Sequence, residues 1–171
     1  MSVPHVILGL LESSPQHGYA LKQSFDGWFG VAKPLRFGQV YATLARLERQ
    51  DLAQVATVET GEGPDRKRYA ITPNGVEELE SWVSSPDSAD GQGIGPLYAK
   101  VVVALLTGRK PAGLLAAQRR VHLERMRELR RGASGATIEG GLAADYLIAH
   151  LQADLDWIEL AAARITASKG V

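Results

Sequence analysis

The sequence predicts a mainly α-helical protein carrying one small β-hairpin and divided into two parts. Three observations lead to this prediction. Apolar residues recur at three- and four-residue steps through most of the chain, the period that gathers side chains on one helix face. Between two such stretches, residues 52–72 change to a Val-, Thr- and Tyr-containing pattern on either side of Gly61-Glu62-Gly63-Pro64-Asp65, as paired strands do around a turn. Residues 84–95, Ser-Ser-Pro-Asp-Ser-Ala-Asp-Gly-Gln-Gly-Ile-Gly, are small and polar, the composition of a flexible connection.

In chain order, His5 to Leu11 forms a short helix with Val6, Ile7, Leu10 and Leu11 to bury and Pro4 in the tolerated first turn. Ser13-Ser14-Pro15 ends it, and His17-Gly18-Tyr19 opens a second helix whose apolar set is Leu21, Phe25, Trp28 and Phe29. Gly27 and Gly30 weaken the end of that helix, and a connection through Lys33-Pro34 follows. Arg36 to Gln50 is strongly amphipathic. Phe37, Val40, Tyr41, Leu44 and Leu47 share its apolar face, opposite Arg36, Gln39, Thr43, Arg46 and Gln50. Leu52–Thr60 and Arg66–Thr72 make the hairpin, with Arg66-Lys67-Arg68 directly after its tip. Thr72-Pro73-Asn74-Gly75 pairs an N-cap residue with Pro at the first helical position, so a further helix starts there and buries Val76, Leu79, Trp82 and Val83. Helix, helix, turn, helix, hairpin and closing helix make a winged helix-turn-helix domain over residues 1–84.

Past a linker at 85–95, three helices are expected over Leu97–Leu106, Pro111–Arg131 and Leu142–Ala167. The last is apolar on two sides. Leu142, Tyr146, Ala149, Ala153, Trp157 and Leu160 form one stripe, and Leu147, Leu151, Leu155, Ile158, Ala162 and Ile165 another. Two short partner helices cannot cover both stripes, so residues 96–171 read as a helical dimerisation domain and the protein as a homodimer. Arg119, Arg120, Arg125, Arg127, Arg130 and Arg131, interrupted by Glu124 and Glu128, read as a solvated helix face with ion pairs one turn apart.

Composition excludes several classes. With 45% hydrophobic and 22% charged residues in 171, the chain is neither disordered nor a membrane protein. No apolar run nears the roughly 20 residues that span a bilayer, and Met1–Leu11 lacks a basic segment and a cleavage site, so a cytoplasmic location is expected. The absence of cysteine removes disulfides, thiolate nucleophiles and Cys-ligated zinc. His150 with Asp154, and His122 with Glu124, are conceivable metal or general-base pairs, but their spacing is unspecific. There is no H-E-x-x-H, P-loop, dinucleotide fingerprint or nucleophile elbow. No enzyme, metal or cofactor is expected.

The polar face of Arg36–Gln50 instead offers Gln, Thr and Arg, which hydrogen-bond base edges and phosphates, and it carries no carboxylate before Glu48. Residues 1–84 hold eight Lys or Arg against ten Asp or Glu, so DNA binding has to rest on placement rather than on net charge. Placement is favourable: Arg36, Arg46, Arg66, Lys67 and Arg68 lie on the helix and hairpin, while acids gather at Glu77, Glu78, Glu80 and the hairpin tip. A winged helix used only for protein contacts is the competing reading.

His17-Gly18-Tyr19, then Gly38-Gln39-Val40-Tyr41-Ala42-Thr43-Leu44-Ala45-Arg46-Leu47-Glu48, then Arg68-Tyr69-Ala70-Ile71-Thr72-Pro73-Asn74-Gly75 together resemble the PadR family of bacterial transcriptional regulators. Ala45 stands where that family often has Lys, and Asp51 where it has Gly. The resemblance implies a repressor of a pseudo-palindromic double-stranded DNA operator. It adds Tyr19 and Tyr41 as residues that orient the helix or hold phosphates, and it implies a small, often aromatic, effector. Tyr98, Tyr146 and Trp157, with Leu142 beside them in the helical half, mark where the sequence would place an effector pocket or dimer interface.

Overall fold

The structure, a computed structural model, describes residues 2–29, 34–59, 66–89, 95–135 and 137–168. The hairpin tip Gly61–Asp65, residues 90–94 of the expected linker, Gly30 and Lys33 lie outside the described residues. The elements are α1 (Val3–Ser13), β1 (Gln16–His17), α2 (Gly18–Phe29), α3 (Phe37–Arg49), β2 (Ala53–Glu59), β3 (Arg66–Ile71), α4 (Pro73–Ser84), α5 (Gly95–Leu106), α6 (Ala112–Ala133) and α7 (Ile138–Ala167). They form two compact units, Met1–Ser85 with Tyr98–Lys110, and Pro86–Leu97 with Pro111–Val171.

The first unit is a winged helix. Its α1 is the central element, with Val6, Ile7, Leu8, Leu10 and Leu11 all buried, because α2, α3, α4 and the sheet each need an apolar partner. Leu21 and Phe25 of α2, Val40, Leu44 and Leu47 of α3, and Leu79 of α4 complete that core. The sheet is antiparallel, ordered β1-β3-β2. Strand β1 pairs Gln16 with Tyr69 and His17 with Arg68. At two residues it is too short to show any alternation, and the sequence gives no sign of it. The β2–β3 register slips between Val55 and Thr57, a bulge that bends the hairpin.

Two helix ends follow the same rule. After α3 the chain turns through Asp51 at φ 56°, with Leu52 N–H donating to Leu47 O (2.9 Å) and Asp51 N–H to Glu48 O (3.1 Å). This is the six-to-one and five-to-two pairing that satisfies orphan carbonyls at a left-handed cap. Gly108, at φ 74°, ends α5 in the same way, with Arg109 N–H bonded to Ala104 O at 2.7 Å. Thr72 caps α4 as the sequence predicts, accepting from Gly75 N–H at 3.1 Å and donating to Asp51 O at 2.6 Å. Gly75 is required here: a Cβ would collide with Leu52 O.

The expected boundary at 84 and 96 does not describe the packing. From Tyr98 onward α5 belongs to the winged-helix unit, with Ala99, Val103 and Ala104 buried in its core. A Cβ on Gly9 would stand 2.5 Å from Val103 Cγ1, so α1 lacks a side chain where α5 crosses it. Lys100, almost wholly buried, donates to Ser85 O at 2.7 Å and lies 5.6 Å from the Trp82 ring. Arg109 pairs with Glu12 and Glu80, tying the end of α5 to α1 and α4. Its guanidinium is held more firmly charged than usual, chiefly by the Glu12 hydrogen bonds, against the opposing effect of burial.

In the second unit α6 and α7 run antiparallel. His122 meets Asp154 at 3.3 Å and Arg119 meets Glu159 at 3.6 Å, while Met126, Leu151 and Leu155 form the core between the helices. Buried Gln118 accepts from Asp87 N–H (2.7 Å) and donates to Asp87 O (2.8 Å), the reciprocal pairing a buried amide needs. Helix α7 starts four residues before the expected Leu142, because Thr137 supplies a cap, accepting from Gly140 N–H at 3.4 Å. One of the two apolar stripes contributes buried Leu151, Leu155 and Ile158, whereas Leu142, Tyr146 and Leu160 of the other remain exposed. Among the described residues no helix is long and apolar enough to cross a membrane.

Candidate nucleic-acid interface

Helix α3 buries Val40, Leu44 and Leu47, but not the whole apolar set that its period assigns to the core. Phe37 is 44% exposed and Tyr41 51%. Their expected burial is corrected by the first turn of α3, where α2 meets them ring to ring or leaves space instead of covering them. The Phe37 ring stacks on Tyr19 with centroids 5.6 Å apart and planes 14° off parallel. Lys22 Nζ stands 5.1 Å from the Phe37 centroid. Tyr41 lies against Gly18, where a Cβ would come within 2.8 Å of Tyr41 Cε1. His17-Gly18-Tyr19 is thus one device: a bare backbone that admits Tyr41 and a ring that supports Phe37.

Asp26 fixes the approach to α3. Its carboxylate accepts from Leu35 N–H at 2.8 Å and pairs with Lys22 at 2.5 Å. The Lys22 hydrogen bond, followed by the Leu35 one, holds its pKa below the usual carboxylate value. Neither Lys22 nor Asp26 was among the predicted site residues. Their four-residue spacing on one helix was the available signal.

Of the residues predicted to meet DNA, Arg36 at the N-cap of α3 and Gln39 and Arg46 on the helix are exposed, and Thr43 is half-buried. Two are partly committed to the helix itself. Gln39 Oε1 accepts from Arg36 N–H at 3.1 Å, capping the first turn, and Thr43 Oγ1 donates to Gln39 O at 2.7 Å. What Gln39 can offer a ligand is its amide Nε2, and what Thr43 can offer is a lone pair and a methyl group. Arg46 and Arg49 occupy the last turn of α3, where cations suit the helix dipole.

The three cations of the hairpin divide. Arg66 and Lys67 are exposed on β3. Arg68 is drawn back into the fold: Nη2 donates to Pro15 O at 2.9 Å and Nη1 lies 3.8 Å from Glu59. It braces β3 against the chain before β1 and has less of its guanidinium to offer a phosphate. Between β3 and α3 runs an open groove lined by Tyr19, Tyr41, Tyr69, Arg66 and Lys67. Burial raises the Tyr69 pKa, so its hydroxyl stays protonated.

The remaining predicted residues lie elsewhere. Tyr98 belongs to the first unit, where its hydroxyl donates to Trp28 O at 3.0 Å and its ring meets Phe29 edge-on. On α7, Leu142 and Tyr146 are exposed and Trp157 is half-buried. Neither suspected histidine pair is formed as expected: Asp154 meets His122, and His150 Nδ1 donates to Tyr146 O at 2.8 Å. Among the described residues no three His, Cys, Asp or Glu side chains are grouped as metal ligands.

The family described as transcriptional regulator PadR-like matches residues 7–81. Over 95 residues the chain is 35% identical to the Mycobacterium tuberculosis protein named "Probable transcriptional regulator Rv1176c", covering 56% of this chain and 50% of that one. Over 79 residues it is 28% identical to the Bacillus subtilis "Negative transcriptional regulator PadR", covering 46% and 43%. The chain thus spans about half the length of the curated relatives it matches. Bacillus subtilis PadR in complex with operator DNA is similar with a TM-score of 0.49 and 18% identity, over 92% of this chain and 96% of that one. The matched family is one of transcriptional regulators, not of enzymes. Residues 7–81, from α1 to α4, are thus the part of this chain that is similar to the transcriptional regulator PadR-like family.

Proposed function

We propose that this protein is a cytoplasmic transcriptional repressor that binds a pseudo-palindromic duplex as a homodimer and releases it on binding a small aromatic effector. One observation supports the DNA reading: Arg36, Gln39 and Arg46 are exposed along α3 and its N-cap, Arg66 and Lys67 are exposed on β3, and a groove lined by Tyr41 of α3 and by Arg66 and Lys67 lies between the two elements. A helix in the major groove with cations beside the phosphate backbone is how a winged helix meets B-DNA. Gln39 Nε2, Thr43 and Arg46 face base edges or adjacent phosphates. Arg66 and Lys67 neutralise phosphates, and Arg68 holds the wing that presents them. Tyr19 and Tyr41 support the helix. A module used only for protein contacts has no reason to join these features.

The exposed stripe of Leu142 and Tyr146 supports the dimer, since large apolar side chains left open on a helix mark an interaction surface. Repression is supported by the likeness to the Bacillus subtilis protein, a negative transcriptional regulator. The effector rests on the family resemblance, with Tyr146 and Trp157 as the rings beside which it would lie. Such a ligand must bind the DNA-incompetent dimer more tightly, because equal affinity shifts no population.

The test is a mobility shift of the duplex upstream of the protein's own coding region, against an unrelated duplex at physiological salt. A selective shift by a species of dimer mass is the expected result. Equal binding to both duplexes, or none, would sink the reading. For the effector, a planar aromatic compound that quenches tryptophan fluorescence should also lower operator affinity.

A further inference from the structure

We infer that Phe37 reads the C5-methyl group of a thymine in each half-site. The inference rests on the DNA-binding reading above. Phe37 is the first residue of α3, and the N-terminal residues of a recognition helix are those that reach base edges in the major groove. A phenylalanine left 44% exposed forgoes part of the stabilisation that burial would bring. It is nevertheless held in one orientation, stacked on Tyr19 with Lys22 close by. The neighbouring Gly38 carries no side chain, and a Cβ added there would meet nothing within 4 Å. A base pair can therefore come close beside the ring.

The chemistry selects the base. Ring carbons neither donate nor accept hydrogen bonds, and the apolar group on the major-groove edges is the thymine methyl. Gln39 follows two residues later, offering its Nε2 donors, so an apolar contact and a polar one lie side by side on the first turn.

The experiment begins with a library of randomised duplexes, from which the full chain selects its own site. The enriched duplex is then synthesised with each thymine replaced singly by deoxyuridine, which removes only the methyl group, and affinities are measured by fluorescence anisotropy. The expected result is one thymine per half-site where the change weakens wild-type binding about fourfold, the equivalent of about 0.8 kcal/mol for one carbon group removed from water. Phe37→Ala should bind the thymine duplex more weakly and be indifferent to deoxyuridine at that position, while Phe37→Leu should retain part of the preference. A ring that only props Tyr19 would weaken both duplexes equally in Phe37→Ala, and that outcome overturns the inference. So does a wild-type protein indifferent to every deoxyuridine, a measurement that needs no variant to fold. Failure to enrich any duplex would instead remove the DNA-binding reading itself, and this inference with it.

Discussion

Gly18 and Tyr41 share one space: a Cβ on Gly18 would lie 2.8 Å from Cε1 and 2.9 Å from Cζ of the tyrosine ring. The atoms in the way are the far end of a side chain that is half exposed, so the ring can swing aside. Gly18→Ala should leave the thermal midpoint close to wild type, since surface rearrangements of this kind cost about 0.5 kcal/mol or less. Operator affinity should fall several-fold as the ring leaves its place beside the wing. Calorimetry paired with anisotropy checks this, and a large loss of stability with unchanged affinity would contradict it.

Arg66 and Lys67 should separate from Arg68 in a salt titration. Replacing the first two with Ala should weaken binding to all duplexes and flatten the plot of log affinity against log salt by about one per lost contact. Arg68→Ala should chiefly lower stability, because it removes the bond to Pro15 O and the Glu59 pair. An unchanged salt slope in the Arg66, Lys67 double variant would mean that the wing does not touch the backbone.

Arg109 is the cross-brace of the first unit, and both its acidic partners reach it from other helices. Arg109→Ala leaves Glu12 beside a half-buried site without its cation. A loss of about 1–3 kcal/mol is expected in urea unfolding, the range for a truncated charged hydrogen bond. A change below about 0.5 kcal/mol would place α5 outside the cooperative unit.

Asp26 sets an acid limit. Its pKa is lowered in the folded state, first by Lys22 and then by Leu35 N–H. The stability it contributes is therefore present above its unfolded pKa and lost as pH falls through the lower folded value. The stability gap between wild type and Asp26→Asn should be constant near neutrality and shrink below about pH 4. A gap that widens toward acid would reverse the assignment.

Tyr146→Asp tests the dimer. The ring is 63% exposed in the single chain, so an aspartate there disturbs little within one subunit, whereas in an interface it buries an unpaired charge. Light scattering should show monomer mass with helical circular dichroism retained. A dimer that survives would move the interface elsewhere.

What could be read without the fold was whatever repeats locally. Val40, Leu44 and Leu47 announce α3 by their period, Thr72-Pro73 announces the start of α4, and the hairpin shows in its change of pattern. Each depends on neighbours a few residues away, where backbone geometry determines which side chains meet. Of the candidate site, exposure was legible to the same depth: Arg36, Gln39, Arg46, Arg66 and Lys67 lie at the surface, as their polar spacing predicts. Only tertiary packing decided the rest. Phe37 and Tyr41 obey the same period as Val40, yet lie open because α2 answers them with Tyr19 and Gly18. Arg68 is turned inward by Pro15 and Glu59 from distant parts of the chain, and Asp154 meets His122 rather than the nearer His150. Periodicity states which face of a helix is apolar. Which surface arrives to cover it depends on contacts far apart in sequence, as α5 shows by packing on α1 across a stretch composed like a linker.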